Sequence, residues 1–420
     1  VPSVLRQIEG SRAVAEAVAL CRPRVVCAYP ISPQTHIIEG VGSLVKSGRL
    51  KPCEFINVES EFAAMSVSIG AVATGARAYT ATSSQGLLYM AEAVFNASGL
   101  GLPIVMTVAN RALGAPINIW NDHSDAMALR DSGWIQLFAE TNQHAVDLHI
   151  QAFRLAEQLS VPVMVCMDGF ILTHAVERVE IPTQEQVDRY LPPFAPQQIL
   201  DPAAPVSIGA MVGPEAYTEV RYLAHARQLE ALVCIPELAA EFERVVGRPS
   251  GGLVSAYRSE DAETIVVALG SVVGTVKDVV DQMREEGMKI GVVAVTTFRP
   301  FPEQALGQAL EGAHRVVVIE KAFAVGGRGV LGAQVEALVS DRGTRTYTVV
   351  AGLGGRPIPE ASLRRVFGEA IRGELGAMSF LDLDRGVVDR ELARRAEDLR
   401  RAPSAARVSR DVTENAARIV

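Results

Sequence analysis

Val25-Val26-Cys27-Ala28-Tyr29-Pro30-Ile31-Ser32-Pro33-Gln34-Thr35 is the stretch on which the reading of this chain turns. Its first four residues form a short apolar run with the length and β-branching of a buried strand. Two prolines then bracket Ile31 and Ser32, fixing φ and holding the residues before them extended. A backbone stiffened in this way presents the Ser32 hydroxyl in one place. Three further junctions follow: Asn57-Val58-Glu59-Ser60-Glu61, Thr80-Ala81-Thr82-Ser83-Ser84-Gln85-Gly86 and Ala109-Asn110-Arg111-Ala112-Leu113. In a parallel sheet such junctions line up at one rim, the usual place for a ligand. Four ordinary connecting loops are the plainer alternative.

Outward from this stretch the alternation continues. Residues 11–21 read as a helix with Ser11 as N-cap, and strand 24–28 leads through the proline loop to a helix over 35–46. Strand 54–58 precedes a helix over 61–75 rich in small residues. Strand 78–82 precedes a helix near 87–98 that Gly86 opens. A strand at 103–109, a helix at 145–158 and a strand at 161–167 follow. Strands alternating with helices predict a doubly wound α/β layer structure. Between Glu180 and Pro205 prolines crowd and periodicity fades, which predicts a connector or surface arm. Helices near 215–232 and 236–246 come next, then a second α/β unit on strands 264–270, 292–295 and 315–320, with helices 272–286 and 303–311. The expected domains are therefore 1–180, a connector at 181–250, 251–370, and a charged helical tail at 371–420 for subunit contacts.

The chain has 420 residues, too many for one core, so more than one domain is expected. Apolar content of 49% against 21% charge describes a well-buried protein. A net charge of −8, without Lys/Arg blocks interleaved with aromatics, speaks against nucleic-acid binding. Arg6, Glu9 and Arg12 are unlike a signal peptide, and no apolar run reaches the length of a membrane span. The five cysteines show no CxxC spacing. Reduced thiols in a cytoplasmic protein are expected, with no iron–sulfur framework in this chain.

Among side chains suited to chemistry, Glu61 stands at an expected helix N-terminus, where the dipole favours an ionised carboxylate. Walled in by the small residues that follow, it is suited to gripping a heterocyclic nitrogen. The competing reading is that Glu59 and Glu61 merely stabilise the first helical turn, by up to about 1 kcal/mol. Arg111 ends an apolar strand, where a partly buried guanidinium needs an anion. A substrate carboxylate would serve, and so would Asp122 or Asp125. Asn121-Asp122-His123-Ser124-Asp125 has metal-ligand residue types, but no second carboxylate–His group completes a site. It reads as a hydrogen-bonded loop shaping a pocket, with no metal assigned. The remaining histidines (His36, His144, His149, His174, His225 and His314) are scattered and read as structural. Gly327-Arg328-Gly329-Val330-Leu331-Gly332 spells GxGxxG, yet residues 320–326 separate it from the preceding strand, and Gly352 stands where an acidic residue would be needed. A nicotinamide site is rejected.

The combination Tyr29-Pro30-Ile31-Ser32-Pro33-Gln34-Thr35, Val58-Glu59-Ser60-Glu61, Ala81-Thr82-Ser83-Ser84-Gln85-Gly86-Leu87 and Ala109-Asn110-Arg111-Ala112-Leu113, continuing through Pro116 to Asp125, closely resembles the α subunit of 2-oxoacid:ferredoxin oxidoreductases, the pyruvate enzymes in particular. The likeness extends through Asp131–Trp134, Asp168-Gly169-Phe170, Phe298–Pro302 and Gly352–Arg356, about residues 8–370 in all. It implies a pyrimidine-binding domain for thiamine diphosphate followed by a transketolase C-terminal-like domain. Carried over, Glu61 would bond N1′ of the aminopyrimidine and favour the imino tautomer that removes the thiazolium proton. Arg111 and Ser32 would orient the substrate's carboxylate and keto oxygen. Tyr29, Pro30, Gln85 and Asn142 would line the cofactor pocket. The product would be acyl-CoA and carbon dioxide, with electrons leaving singly to iron–sulfur clusters and coenzyme A as co-substrate.

Ser32 stands where the family usually has Thr. The hydroxyl survives, but a methyl is lost and the pocket widens; with Gly114 near Arg111, this leaves an aryl or branched-chain 2-oxo acid beside pyruvate. The usual GDG…Asn clamp for Mg²⁺ and diphosphate is missing, as is any CxxC for a [4Fe-4S] cluster. The resemblance thus implies a β subunit carrying the clamp, γ and ferredoxin-like δ subunits, and, where nicotinamide is the acceptor, a flavin subunit. A carboligase of the same fold and a non-catalytic scaffold are the other functional readings.

Overall fold

The proline-bracketed loop lies where the sheet reverses its winding. Strand Val25–Ala28 has Glu54–Asn57 on one side and Ala78–Thr82 on the other, all parallel. From Ala28 the chain leaves toward one neighbour and returns to the other, so the segment 29–34 occupies the switch point of a doubly wound sheet. The computed structural model describes residues 4–401. Its first sheet has seven strands in the order Thr297–Arg299, Ile135–Phe138, Val163–Asp168, Val105–Asn110, Ala78–Thr82, Val25–Ala28, Glu54–Asn57. Every pair is parallel except the one made by Thr297–Arg299.

Helices cover both faces. Ile37, Ile38, Val41 and Leu44 make one apolar stripe on helix Thr35–Lys46. That stripe packs with helices Gly10–Leu20 and Asn142–Leu159 on one face. Met65, Leu87, Val94 and Ala97, from helices Glu61–Ala73, Ser84–Tyr89 and Ala91–Gly99, fill the other together with Met90 between the last two. Strands Val105–Asn110 and Val163–Asp168 are consequently buried at every position, and their sequences run apolar instead of alternating.

A second sheet is built on Arg345–Val350, Arg315–Glu320, Thr264–Ala268 and Ile290–Val295, all parallel, with Val254–Tyr257 antiparallel at one edge and a strand beginning at Met378 at the other. Ile265, Val267, Val293, Val295 and Val316 share a buried cluster with Trp134, Phe138 and Met164 of the first sheet. Residues through Ser379 thus form one compact unit; the residues from Phe380 form another, which contains helix Arg385–Arg401. The remainder of the expected tail, 402–420, lies outside the described residues. No described helix is long and apolar enough to cross a membrane.

Several elements differ from expectation for identifiable reasons. Ser11 is not an N-cap: the helix begins at Gly10, and the Ser11 hydroxyl donates to the Thr173 carbonyl. The helix expected at 87–98 is two helices broken at Met90, and Gly86 lies inside the first. Helices 215–232 and 236–246 are one helix, Tyr217–Val246, running through Pro236. The Pro-rich connector contains helix Gln184–Tyr190, closed by a Thr183–Gln186 capping box. Strands Val4–Glu9 and Val176–Ile181 pair antiparallel across a large sequence separation.

Candidate active site

Ser60 caps the helix that follows strand Glu54–Asn57, its Oγ accepting the Ala63 N–H at 3.2 Å. Glu61 is therefore the first helical residue, at the end of the dipole that favours its charge. Glu59 is exposed, as a residue that only steadies the first turn would be, whereas Glu61 is 7% exposed. No other described group bonds the Glu61 carboxylate. A Cβ built on Gly86 would stand 2.6 Å from Glu61 Oε1 and 2.7 Å from Thr82 Oγ1. The Thr82 and Ser83 hydroxyl oxygens are also buried without a partner. Buried polar atoms left unpaired carry a cost in the free chain. A buried carboxylate and the spare Thr82 hydroxyl around a glycine together fit a ring that offers hydrogen-bond donors.

Arg111 follows strand Val105–Asn110 and is buried. Its Nη1 donates to the Ser32 carbonyl at 2.7 Å and its Nη2 to Gln85 Oε1 at 3.1 Å, while its Nε has no partner. Arg111, Ser32 and Gln85 are thus brought together, with the Ser32 side chain exposed. Tyr29 and Pro30, at the start of the same loop, are also exposed. Neither Asp122 nor Asp125 pairs with the guanidinium, contrary to the internal-anion alternative. Asp125 instead takes the Arg111 main-chain N–H at 3.0 Å, and Asp122 takes N–H groups of Ser124 and Gly354. Burial lowers the Arg111 pKa, with Asp125 opposing. An additional anion would be welcome there.

Two residues not singled out from sequence hold these loops. Gln34 is fully buried and its Nε2 donates to the Ala81 carbonyl at 2.6 Å, tying the proline loop to strand Ala78–Thr82. Ser84 has φ +52°, a left-handed conformation that costs a non-glycine residue energy. It is held by its N–H to Asp125 Oδ2 at 2.9 Å and by its Oγ to the Ala112 carbonyl at 2.5 Å. Asp125 also accepts Asn110 Nδ2 and the Ala126 N–H. Burial raises its carboxyl to about 6, against those hydrogen bonds. The segment 121–125 is hydrogen-bonded as its sequence suggested, but it is a loop only to His123, because Ser124 and Asp125 open the short helix Ser124–Ala128.

At the end of strand Val163–Asp168, the Asp168 carboxylate receives His123 Nε2 at 2.6 Å, the Ser271 N–H and Lys321 Nζ at 3.0 Å each, and the Ser271 hydroxyl. Burial works to raise this carboxyl, but Lys321 and His123, with Ser271, hold it well below the usual range. Asn142 stands elsewhere: it begins helix Asn142–Leu159, its Nδ2 donates to the Ala175 carbonyl, and its Oδ1 is buried without a partner beside Gly10. None of these contacts is with Glu61 or Arg111. The GxGxxG stretch holds an internal anion, because Glu320 accepts the N–H groups of Val330, Leu331 and Gly332. A Cβ on Gly329 would collide with that carboxylate. Not all the histidines are scattered: Glu9, His36 and His174 bring ligand-type atoms within 4.8 Å of one another. The two imidazole rings lie 4.7 Å apart with planes tilted by 31°, and His36 Nδ1 pairs with Glu9 at 2.7 Å.

Comparison with known proteins places this geometry in context. The family profile described as pyruvate flavodoxin/ferredoxin oxidoreductase, thiamine diphosphate-binding, matches residues 16–239, and that of pyruvate:ferredoxin oxidoreductase core domain II matches 262–362. Pyruvate synthase subunit PorA of Methanosarcina barkeri is 50% identical over 369 residues, covering 86% of this chain and 91% of that protein. The subunit of that name from Thermotoga maritima is 47% identical over 378 residues, covering 88% and 95%. Ketoisovalerate oxidoreductase subunit VorA of Pyrococcus abyssi is 38% identical over 367 residues, covering 86% and 92%. Among solved structures, a 2-oxoglutarate:ferredoxin oxidoreductase from Magnetococcus marinus with 2-oxoglutarate, coenzyme A and succinyl-CoA bound superposes with a TM-score of 0.67 at 20% identity, a likeness of fold. The alignment covers 88% of this chain and 65% of that one, so the chain spans about two thirds of that neighbour.

Proposed function

This chain belongs to the pyruvate flavodoxin/ferredoxin oxidoreductase family, and from that premise we propose that it is the α subunit of a pyruvate:ferredoxin oxidoreductase, a complex that converts pyruvate and coenzyme A to acetyl-CoA and carbon dioxide and passes the two electrons released, one at a time, to oxidised ferredoxin. Greater identity with the pyruvate synthase subunits than with the ketoisovalerate subunit favours pyruvate as substrate. The observation that carries the active-site assignment is the buried, unpartnered carboxylate of Glu61 beside Gly86. Thiamine diphosphate, when bound, supplies the nucleophilic carbon and the electron sink for decarboxylation. Glu61 would hold a proton at the pyrimidine nitrogen, with Thr82 and Ser83 as further partners. Arg111 would grip the pyruvate carboxylate with its guanidinium, and Ser32 would face the keto oxygen. Gln85 would steady the guanidinium, while Tyr29 and Pro30 would close the outer wall. Asn142 would act from the neighbouring helix end. We assign the pyrimidine half to residues 1–180 and the second α/β domain to 251–370.

The diphosphate, Mg²⁺ and iron–sulfur clusters would be held by partner subunits. Exposed Tyr29, Phe62, Leu88, Tyr89, Ile117 and Trp120 flank the site residues in sequence and suit a partner docking there. The test is co-purification from the native host with identification of the associated chains. Pyruvate-dependent, CoA-dependent viologen reduction would then be measured beside 2-oxoisovalerate and phenylglyoxylate. Faster turnover per KM on either of those would overturn pyruvate as substrate. A colourless, iron-free complex would overturn the redox function.

A further inference from the structure

Lys321 is the first residue after strand Arg315–Glu320 of the second sheet, and it is 2% exposed. A buried ammonium requires an anion, and Lys321 Nζ finds Asp168 Oδ2 at 3.0 Å, across on the first sheet. The other Asp168 oxygen pairs with His123 Nε2 at 2.6 Å, and the His123 N–H donates back to the Lys321 carbonyl at 2.8 Å. Three residues from three segments therefore close a ring. The turn Leu353–Gly355 adds a second hold on the same loop. Gly354 N–H donates to Asp122 Oδ2 at 3.0 Å, and Asn118 Nδ2 donates to the Gly354 carbonyl at 3.1 Å. A Cβ on Gly355 would stand 2.3 Å from Trp120 Cβ, so only glycine admits this approach. Beyond the ring, Asp125 fastens the main-chain N–H groups of Arg111 and Ser84.

We propose that Lys321 and Asp168 are positioning residues for Arg111: the second sheet fixes, through the loop 118–125, where the guanidinium stands. The inference rests on Arg111 as the group that binds the substrate carboxylate. Neither Lys321 nor Asp168 needs to touch the substrate. A small displacement of a binding group is enough to weaken its grip.

The test uses the assembled complex carrying the double substitution Lys321→Met/Asp168→Asn, which removes both buried charges together. KM for pyruvate and the inhibition constant of oxamate, a non-reacting carboxylate of the same shape, should rise together by about tenfold. Turnover at saturation and bound thiamine diphosphate should stay within about twofold, a split that general loosening of the fold would not produce. Lys321→Arg keeps the charge but changes its reach; it should shift both constants the same way by about threefold, and serves if the double variant does not assemble. Unchanged KM and oxamate affinity in an intact complex would overturn the proposal, as would a loss of turnover and cofactor at constant KM. Arg111→Lys separates the two levels. No change in that variant would sink Arg111 itself as the carboxylate grip. A change there with none in the double variant would sink only the clasp.

Discussion

Glu61 and Asp168 are buried carboxylates at the same rim of one sheet, and the structure treats them in opposite ways. Asp168 is surrounded by His123, Ser271 and Lys321. Glu61 faces a glycine beside the Thr82 hydroxyl, which has no partner of its own. The first carboxylate is an internal strut whose charge is already neutralised. The second meets no protein donor, so its acceptor capacity is open to a bound one. Where a fold spends its donors, and where it withholds them, separates architecture from binding site.

The sharpest test of this contrast is Glu61→Gln. Turnover should fall by about a thousandfold if the carboxylate acts on a proton at the cofactor, while the free chain melts at about the same temperature, since no hydrogen bond within the chain is lost. Turnover within tenfold of the unsubstituted enzyme would erase the distinction. Asp168→Asn should do the reverse, leaving Lys321 buried without its anion and lowering unfolding free energy by about 3 kcal/mol. Because its folded pKa is depressed, the stability that Asp168 contributes is full above its unfolded value of about 4 and fades as pH falls below that. Denaturant unfolding from pH 7 down to 3 should therefore show a flatter acid limb in the variant.

Asp125 lies between the two extremes. Its carboxyl is raised to about 6 by burial, so folding favours the acid form. That contribution to stability is present below about pH 4 and is lost as pH rises through about 6. The ionised form is nevertheless the better acceptor for the Arg111 and Ser84 N–H groups. KM for pyruvate should consequently rise about threefold as pH falls from 7 to 5, and Asp125→Asn should show no such step. A flat wild-type profile would detach Asp125 from substrate binding. The smallest effect is expected of Thr82→Val, which replaces an unpaired hydroxyl with a methyl of similar shape. Unfolding free energy without cofactor should change by less than about 1 kcal/mol, while cofactor affinity drops measurably in fluorescence titration.

Local chemistry made much of this legible. Helix Thr35–Lys46 has the limits its apolar spacing predicts, and strand Ala78–Thr82 matches residue for residue. The four junctions meet as parallel strands require. What escaped was set by distant contacts. Pro236 reads as a break, but Ala231, Ile235, Leu238 and Phe242 lie on one face buried in the core, and that packing carries the helix past the missing N–H. Strand Ile135–Phe138 is four residues buried on both faces, without the alternation that would mark it. Gln34 and Lys321 show nothing locally, since each takes its meaning from a partner on another strand. Their only signal in the sequence is a polar residue beside an apolar run.

The short strand Thr297–Arg299 belongs by sequence to the second half yet pairs with Ile135–Phe138 at the border of the first sheet. A shortened protein ending in the Pro-rich connector would leave that border bare, with a row of unmatched amides beside Leu137 and Phe138. Such a fragment is expected to stick to itself. Genetic dissection of this polypeptide into separately expressed halves would have to carry residues 297–299 along with the first.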